Sequence, residues 1–188
     1  MPENFKTKSE QIKDQFSIEE IKQQIAEFNV VKEPPKEKSK ILYVDDEPNA
    51  LISFKASFRR SFEVYIANSA DEARAIVDDV PDLQVIVTDQ RMPEELGTEL
   101  LASILKTHPD PIRILLTGYS DIDAVIDAIN KGNIYRYVNK PYITDEFQKI
   151  LENATEVFEL RKAKEELTKV VIRANKQLEF LLRQQLLD

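Results

Sequence analysis

Hydrophobic residues in the middle of the chain fall into short runs, each followed by a stretch whose apolar positions recur at helical spacing. Ile41-Leu42-Tyr43-Val44 is the first run, and Pro48 then opens a helical stretch from Asn49 to Arg59. Val64-Tyr65-Ile66 is followed by Ser69-Ala70-Asp71-Glu72, a capping box at the head of an Ala-rich helix. Leu83 to Val87 precedes a helix over about Leu96 to Lys106, and Ile112 to Leu116 precedes one over Asp121 to Lys131. Tyr135 to Val138 precedes a helix beginning near Thr144. Five apolar runs alternating with five helices predict an α/β fold, a parallel sheet buried on both faces by helices. Right-handed crossovers make that sheet doubly wound, over residues 40–153.

The flanks behave differently. Within residues 1–39, Ser17-Ile18-Glu19-Glu20 reads as a further capping box, and Ile18, Ile21, Ile25 and Phe28 follow at helical spacing. This is a short amphipathic helix, either for docking or as a weakly ordered tail, because isolated helices of that length are marginal in water. Pro34-Pro35, inside KEPPKEKSK, reads as an extended, semi-rigid connector. At the other end, Thr144 to about Leu186 contains no Gly or Pro, enough for a helix of roughly 65 Å at 1.5 Å per residue. With Val157 at heptad position a, Val157, Lys164, Val171 and Leu178 share the a positions, and Leu160, Leu167, Ala174 and Leu181 the d positions. Lys164 alone is polar, which predicts that residues 154–188 form a helical extension in a dimeric coiled coil. A single helix folding back on its own domain is the alternative.

Composition narrows the chemistry. The 188 residues include no Cys and one His, which excludes disulfides, thiolate nucleophiles, Cys-based zinc and multi-His metal sites. That His, His108, precedes Pro109 and reads as a helix-end residue, not a phosphodonor. A net charge of −8 disfavours nucleic acid as a partner. No apolar run approaches a membrane span, and the N-terminus lacks a signal core, so a cytoplasmic protein without membrane insertion is expected. Carboxylates, hydroxyls, Lys and Arg must carry the function.

In a doubly wound sheet ligands sit beyond the carboxyl ends of the strands. The sequence puts Asp45-Asp46, Thr88-Asp89, Thr117-Gly118 and Lys140-Pro141 at those ends. Three carboxylates within about 5 Å would repel by roughly 3 kcal/mol per pair at an effective dielectric of 20. Proton uptake, Lys140 or a divalent cation must offset this, and an all-oxygen donor set points to Mg²⁺. An aspartate beside Mg²⁺ and a lysine is equipped to attack phosphorus.

The segments ILYVDDEP (41–48), VIVTDQRMP (85–93), ILLTG (114–118) and YVNKP (137–141) together resemble the receiver domain of bacterial two-component response regulators. The resemblance implies a flavodoxin-like sheet of order 2-1-3-4-5. It implies that Asp89 is the phosphoacceptor, served by a sensor histidine kinase or a phosphotransfer protein. Asp46 directly, Asp45 through water, Asp89 and the Arg91 backbone carbonyl would hold Mg²⁺. Thr117 and Lys140 would contact the phosphoryl group, with Thr117 and Tyr137 forming the switch and a cis peptide before Pro141. Arg91 and Tyr119 stand where side chains shield the acyl phosphate, implying slow hydrolysis. Glu95 replaces the family's usual Met and adds negative charge at the site entrance, whereas Gly97 is kept.

The expected output is a change in dimerisation or helix register, carried by the last helix to a downstream effector protein or to an output domain outside these residues. The chain would not be an enzyme beyond its own phosphorylation and dephosphorylation. Three alternatives are a pseudo-receiver dimerisation scaffold, the front portion of a longer regulator, and a phosphohydrolase. The last wants Asp two residues after the nucleophile, where Arg91 stands.

Overall fold

The computed structural model describes residues 37–118, 126, 129 and 134–185. The amphipathic helix expected around Ile18–Phe28 lies outside them, as do Tyr119 and most of the helix expected over Asp121–Lys131, although Ile126 and Ile129 are helical. Five strands form one parallel sheet: β1 (Lys40–Val44), β2 (Glu63–Ala67), β3 (Val85–Asp89), β4 (Ile112–Thr117) and β5 (Arg136–Asn139). Their order is β2-β1-β3-β4-β5, as the resemblance implied. Helices α1 (Pro48–Phe58), α2 (Ala70–Asp79), α3 (Gly97–Thr107) and α4 (Thr144–Gln185) connect and follow them.

The sheet is sandwiched between two apolar layers. On one face Ile41, Tyr43, Val85, Val87, Ile112 and Ile114 pack against Phe54 and Phe58 of α1 and Phe147, Leu151, Ala154 and Phe158 of α4. On the other, Leu42, Val44, Ile86 and Leu115 pack against α2 and α3. Burying each large side chain contributes about 1.5–3 kcal/mol. The first layer adds ring contacts: Tyr43 stacks on Phe54 at 4.1 Å, and Phe58 meets Phe147 edge-on at 5.8 Å.

Local chemistry sets the helix starts. Ser69 Oγ accepts from the Glu72 N–H (3.3 Å), and the Glu72 carboxylate accepts from the Asn68 N–H (2.8 Å). Pro48 supplies the preset φ that opens α1.

Two expectations need correction. Leu83 is buried but precedes β3, because Asp82 takes a left-handed backbone conformation (φ 58°) that turns the chain before pairing starts. The outer strands are not buried on both faces: Arg136, Tyr137 and Asn139 of β5 are exposed, as is Glu63 of β2. An edge strand has a neighbour on one side only, which leaves its outer residues to solvent.

Helix α4 starts at the carboxyl rim of the sheet and descends beside it. Phe158 and Lys162 reach a cleft of about 260 Å³ at the opposite end, walled by the Pro81–Leu83 and Thr107–Pro111 turns. There Lys162 pairs with Asp82 and lies over the Phe158 ring at 5.4 Å. The helix has 42 residues, about 63 Å at its normal rise, so it outruns the domain. No described helix is long and apolar enough to cross a membrane.

Candidate functional site at the carboxyl rim

β1, β3 and β4 close their apolar runs on polar residues at the rim, and Lys140 follows β5. β1 ends at Val44, and Asp45 follows it into a buried position. Its carboxylate is held from three directions. Oδ1 accepts the Glu47 N–H (3.0 Å), while Oδ2 accepts the Tyr43 hydroxyl (2.6 Å) and the Lys140 ammonium (2.9 Å). Burial first, then the bond to Asp45, pushes the Tyr43 hydroxyl far above its ordinary value, so it remains a donor.

β3 ends on Asp89, whose side chain keeps 13% of its surface open. Its Oδ1 lies 2.5 Å from Lys140 Nζ, and its Oδ2 accepts the Arg91 N–H at 2.7 Å. Lys140 therefore bridges Asp45 and Asp89. Burial pulls its ammonium down, but the hydrogen bonds and charges of Asp89 and Asp45 outweigh burial and hold the group above the ordinary lysine value. Of the three ways to offset the carboxylate repulsion, the structure shows the lysine.

The remaining groups take distinct places. Asp46 is exposed and lines a recess of about 120 Å³ with Asn68, Met92 and Glu95. Thr117 is buried, and its hydroxyl donates to the Gly118 carbonyl at 3.0 Å. Tyr137 is 44% exposed, and its strand partner on β4 is Leu115. The Lys140–Pro141 peptide is cis. Arg91 is exposed on the loop after Asp89. Glu95 does not stand as a bare charge at the entrance: Arg74 of α2 pairs with it, and Arg74 also reaches Asp71 (3.0 Å) and Ser103 (3.4 Å).

Sequence reasoning missed three supporting residues. Gln90 is buried, and its side chain joins the Thr98 N–H (3.2 Å) and hydroxyl (3.4 Å), tying the start of α3 to the strand that carries Asp89. Tyr43 and Arg74 are the others. A polar residue directly after Asp89 and a Tyr two residues before Asp45 were visible signals, whereas Arg74 carried none.

Gly97 has a role that only the coordinates explain. A Cβ there would stand 2.1 Å from the Asp89 backbone carbonyl, so no larger residue permits the loop to close on β3.

The donor set fits Mg²⁺. That ion takes one or two carboxylates and keeps several waters, and carboxylate oxygens such as those of the partly open Asp89 and the exposed Asp46 are donors of the kind it takes. Among the described residues no three acidic side chains form a ready-made cage.

Residues 41–152 match the family model of the response regulator receiver domain. The chain is 32% identical over 125 residues to the hydrogenase transcriptional regulatory protein HoxA of Bradyrhizobium diazoefficiens, covering 66% of this chain and 26% of that protein. It thus spans about a quarter of the length of the curated relatives it matches. Among solved structures, an adenylate cyclase chain from Rhodopirellula baltica superposes with a TM-score of 0.68 at 31% identity, over 70% of this chain and 98% of that one. A response regulator receiver domain protein from Clostridium thermocellum gives 0.61 at 31% identity, over 65% and 98%.

Proposed function

Because the chain belongs to the response regulator receiver domain family, whose general function is phosphoryl acceptance, we propose that Asp89 is its acceptor. The observation that carries this reading is the Lys140 bridge: a partly open carboxylate with an ammonium 2.5 Å away. One Asp89 oxygen attacks the phosphorus of a donor phosphoimidazole; the P–N bond breaks, an acyl P–O bond forms, and the leaving imidazole takes up a proton. A sensor histidine kinase or a phosphotransfer protein supplies that donor.

Asp46, Asp89 and the Arg91 carbonyl would hold Mg²⁺, with Asp45 acting through water, and the ion would supply charge neutralisation for the transferring oxygens. Lys140 remains beside Asp89 as a point charge towards the phosphoryl group. Thr117 exchanges its bond to the Gly118 carbonyl for one to a phosphoryl oxygen, and Tyr137 turns from solvent towards the space so vacated. Arg91 and Tyr119 limit the approach of water.

Dimerisation through α4 is the second part of the reading. Its support is the apolar stripe at Leu160, Leu167 and Val171, which are 62%, 65% and 50% exposed in the single chain. Val157, placed first in that seam, instead packs partly against the domain core. The signal passes through α4 to an effector partner or to a further domain, and the chain catalyses no turnover on other molecules.

Incubating the chain with acetyl phosphate and Mg²⁺ tests the first part. Wild type is expected to gain one phosphoryl group by mass and Asp89→Asn none. Equal labelling of both, or labelling of neither, overturns the assignment.

A further inference from the structure

Tyr43 is the one hydroxyl in the apolar run of β1, between Leu42 and Val44. Residues two apart on a strand share a face, so Tyr43 and Asp45 lie on the same side of the sheet. The ring fills the core and stacks on Phe54, a task that a phenylalanine could also perform. The hydroxyl adds nothing to that packing, and a buried phenol needs an acceptor.

The acceptor is the atom that Lys140 also uses. Asp45 Oδ2 takes the Tyr43 hydroxyl at 2.6 Å and the Lys140 ammonium at 2.9 Å, while Oδ1 takes the Glu47 N–H at 3.0 Å. Asp45 is buried, so protein donors must replace water around its carboxylate. An oxygen there that lost every donor would incur the full cost of desolvation.

Lys140 is divided between two carboxylates. Its ammonium lies 2.5 Å from Asp89 Oδ1 and is drawn back by Asp45. To contact a phosphoryl group on Asp89, the ammonium has to give up Asp45 Oδ2. With the Tyr43 hydroxyl in place, that oxygen keeps a donor when the lysine departs. With a phenylalanine there, departure would strip the oxygen inside the domain, and Lys140 would be held where it is.

We propose that Tyr43 is a positioning residue for phosphoryl acceptance, whose hydroxyl holds Asp45 so that Lys140 can exchange Asp45 for the phosphoryl group. This rests on the acceptor reading above. Tyr43 donates one hydrogen bond throughout and transfers no proton.

Tyr43→Phe removes a single oxygen and keeps the ring that stacks on Phe54. Wild type, Tyr43→Phe, Lys140→Met and the double variant form a cycle. With acetyl phosphate and saturating Mg²⁺, Tyr43→Phe is expected to label about tenfold more slowly, the scale of one hydrogen bond to a charged group. The Mg²⁺ concentration for half-maximal labelling is expected to stay at the wild-type value. On the Lys140→Met background the same substitution is expected to slow labelling no further. Urea unfolding without metal is expected to show the opposite coupling. There Tyr43→Phe shifts the folding equilibrium more when Lys140 is absent, because Asp45 Oδ2 then loses its last side-chain donor.

Labelling of Tyr43→Phe at the wild-type rate, or equal slowing on both backgrounds, would overturn the proposal and leave Asp89 as the acceptor. A raised Mg²⁺ requirement with an unchanged maximal rate would overturn it too, since Tyr43 would then only place Asp45 for the metal. Additive losses in unfolding would show that the two donors do not share the oxygen, with the same consequence. A wild-type chain that takes no label would overturn both readings.

Discussion

At the scale of single residues, the site depends on how Lys140 and Gly97 are placed. Because Lys140 titrates above the ordinary value of 10.5, its pairing stabilises the fold fully below that pH and is lost as pH rises through the elevated folded value. Urea unfolding of wild type and Lys140→Met from neutral to strongly alkaline pH is therefore expected to show a stability gap that closes only above about pH 10.5. Gly97→Ala forces a methyl group into the Asp89 carbonyl and is expected to cost on the order of 1–3 kcal/mol in urea unfolding, with slower phosphorylation. A variant as stable and as readily labelled as wild type would show that the loop has room. The chemistry of this rim was legible because Asp45, Asp89 and Thr117 close apolar runs. The partition of Asp45 and Asp46 was not: they are adjacent in sequence, and only the path of the chain after Val44 decides which is buried against Lys140 and Tyr43.

At the scale of elements, two long-range ion pairs set the loops and the last helix. Arg74 and Glu95 join α2 to the loop that carries the Arg91 carbonyl. Arg74→Ala is expected to weaken Mg²⁺ binding, read by the metal concentration needed for half-maximal labelling, and the swap Arg74→Glu with Glu95→Arg to restore it in part. Unchanged metal dependence in the single variant would leave Arg74 a surface residue only. At the far end Phe158 closes the core beneath α4, and Phe158→Ala is expected to cost about 3–5 kcal/mol. Strand and helix order followed from periodicity, but these pairs did not. Arg74 and Glu95 are 21 residues apart, and Asp82 and Lys162 are 80 apart, so no local pattern announces either contact. The late start of β3 has the same origin, since apolar Leu83 continues the run in sequence while Asp82 turns the backbone.

Across the whole molecule, a rim that accepts charge and a helix that leaves the domain are joined by one continuous element. Phosphorylation at Asp89 would add roughly −1.5 to −2 charge where Lys140 now sits between two carboxylates. The helix that begins at Thr144, four residues beyond Lys140, is the element that would carry the consequence out of the domain. The site of phosphoryl attachment can be read directly. Borohydride reduction cleaves an aspartyl phosphate to homoserine, so chain treated with acetyl phosphate and Mg²⁺, then reduced and mapped by peptide mass, reports the modified position directly. Homoserine at position 89 alone is the predicted result. Homoserine at Asp45 or Asp46, or a phosphorylated hydroxyl that survives reduction with Asp89 intact, would contradict it.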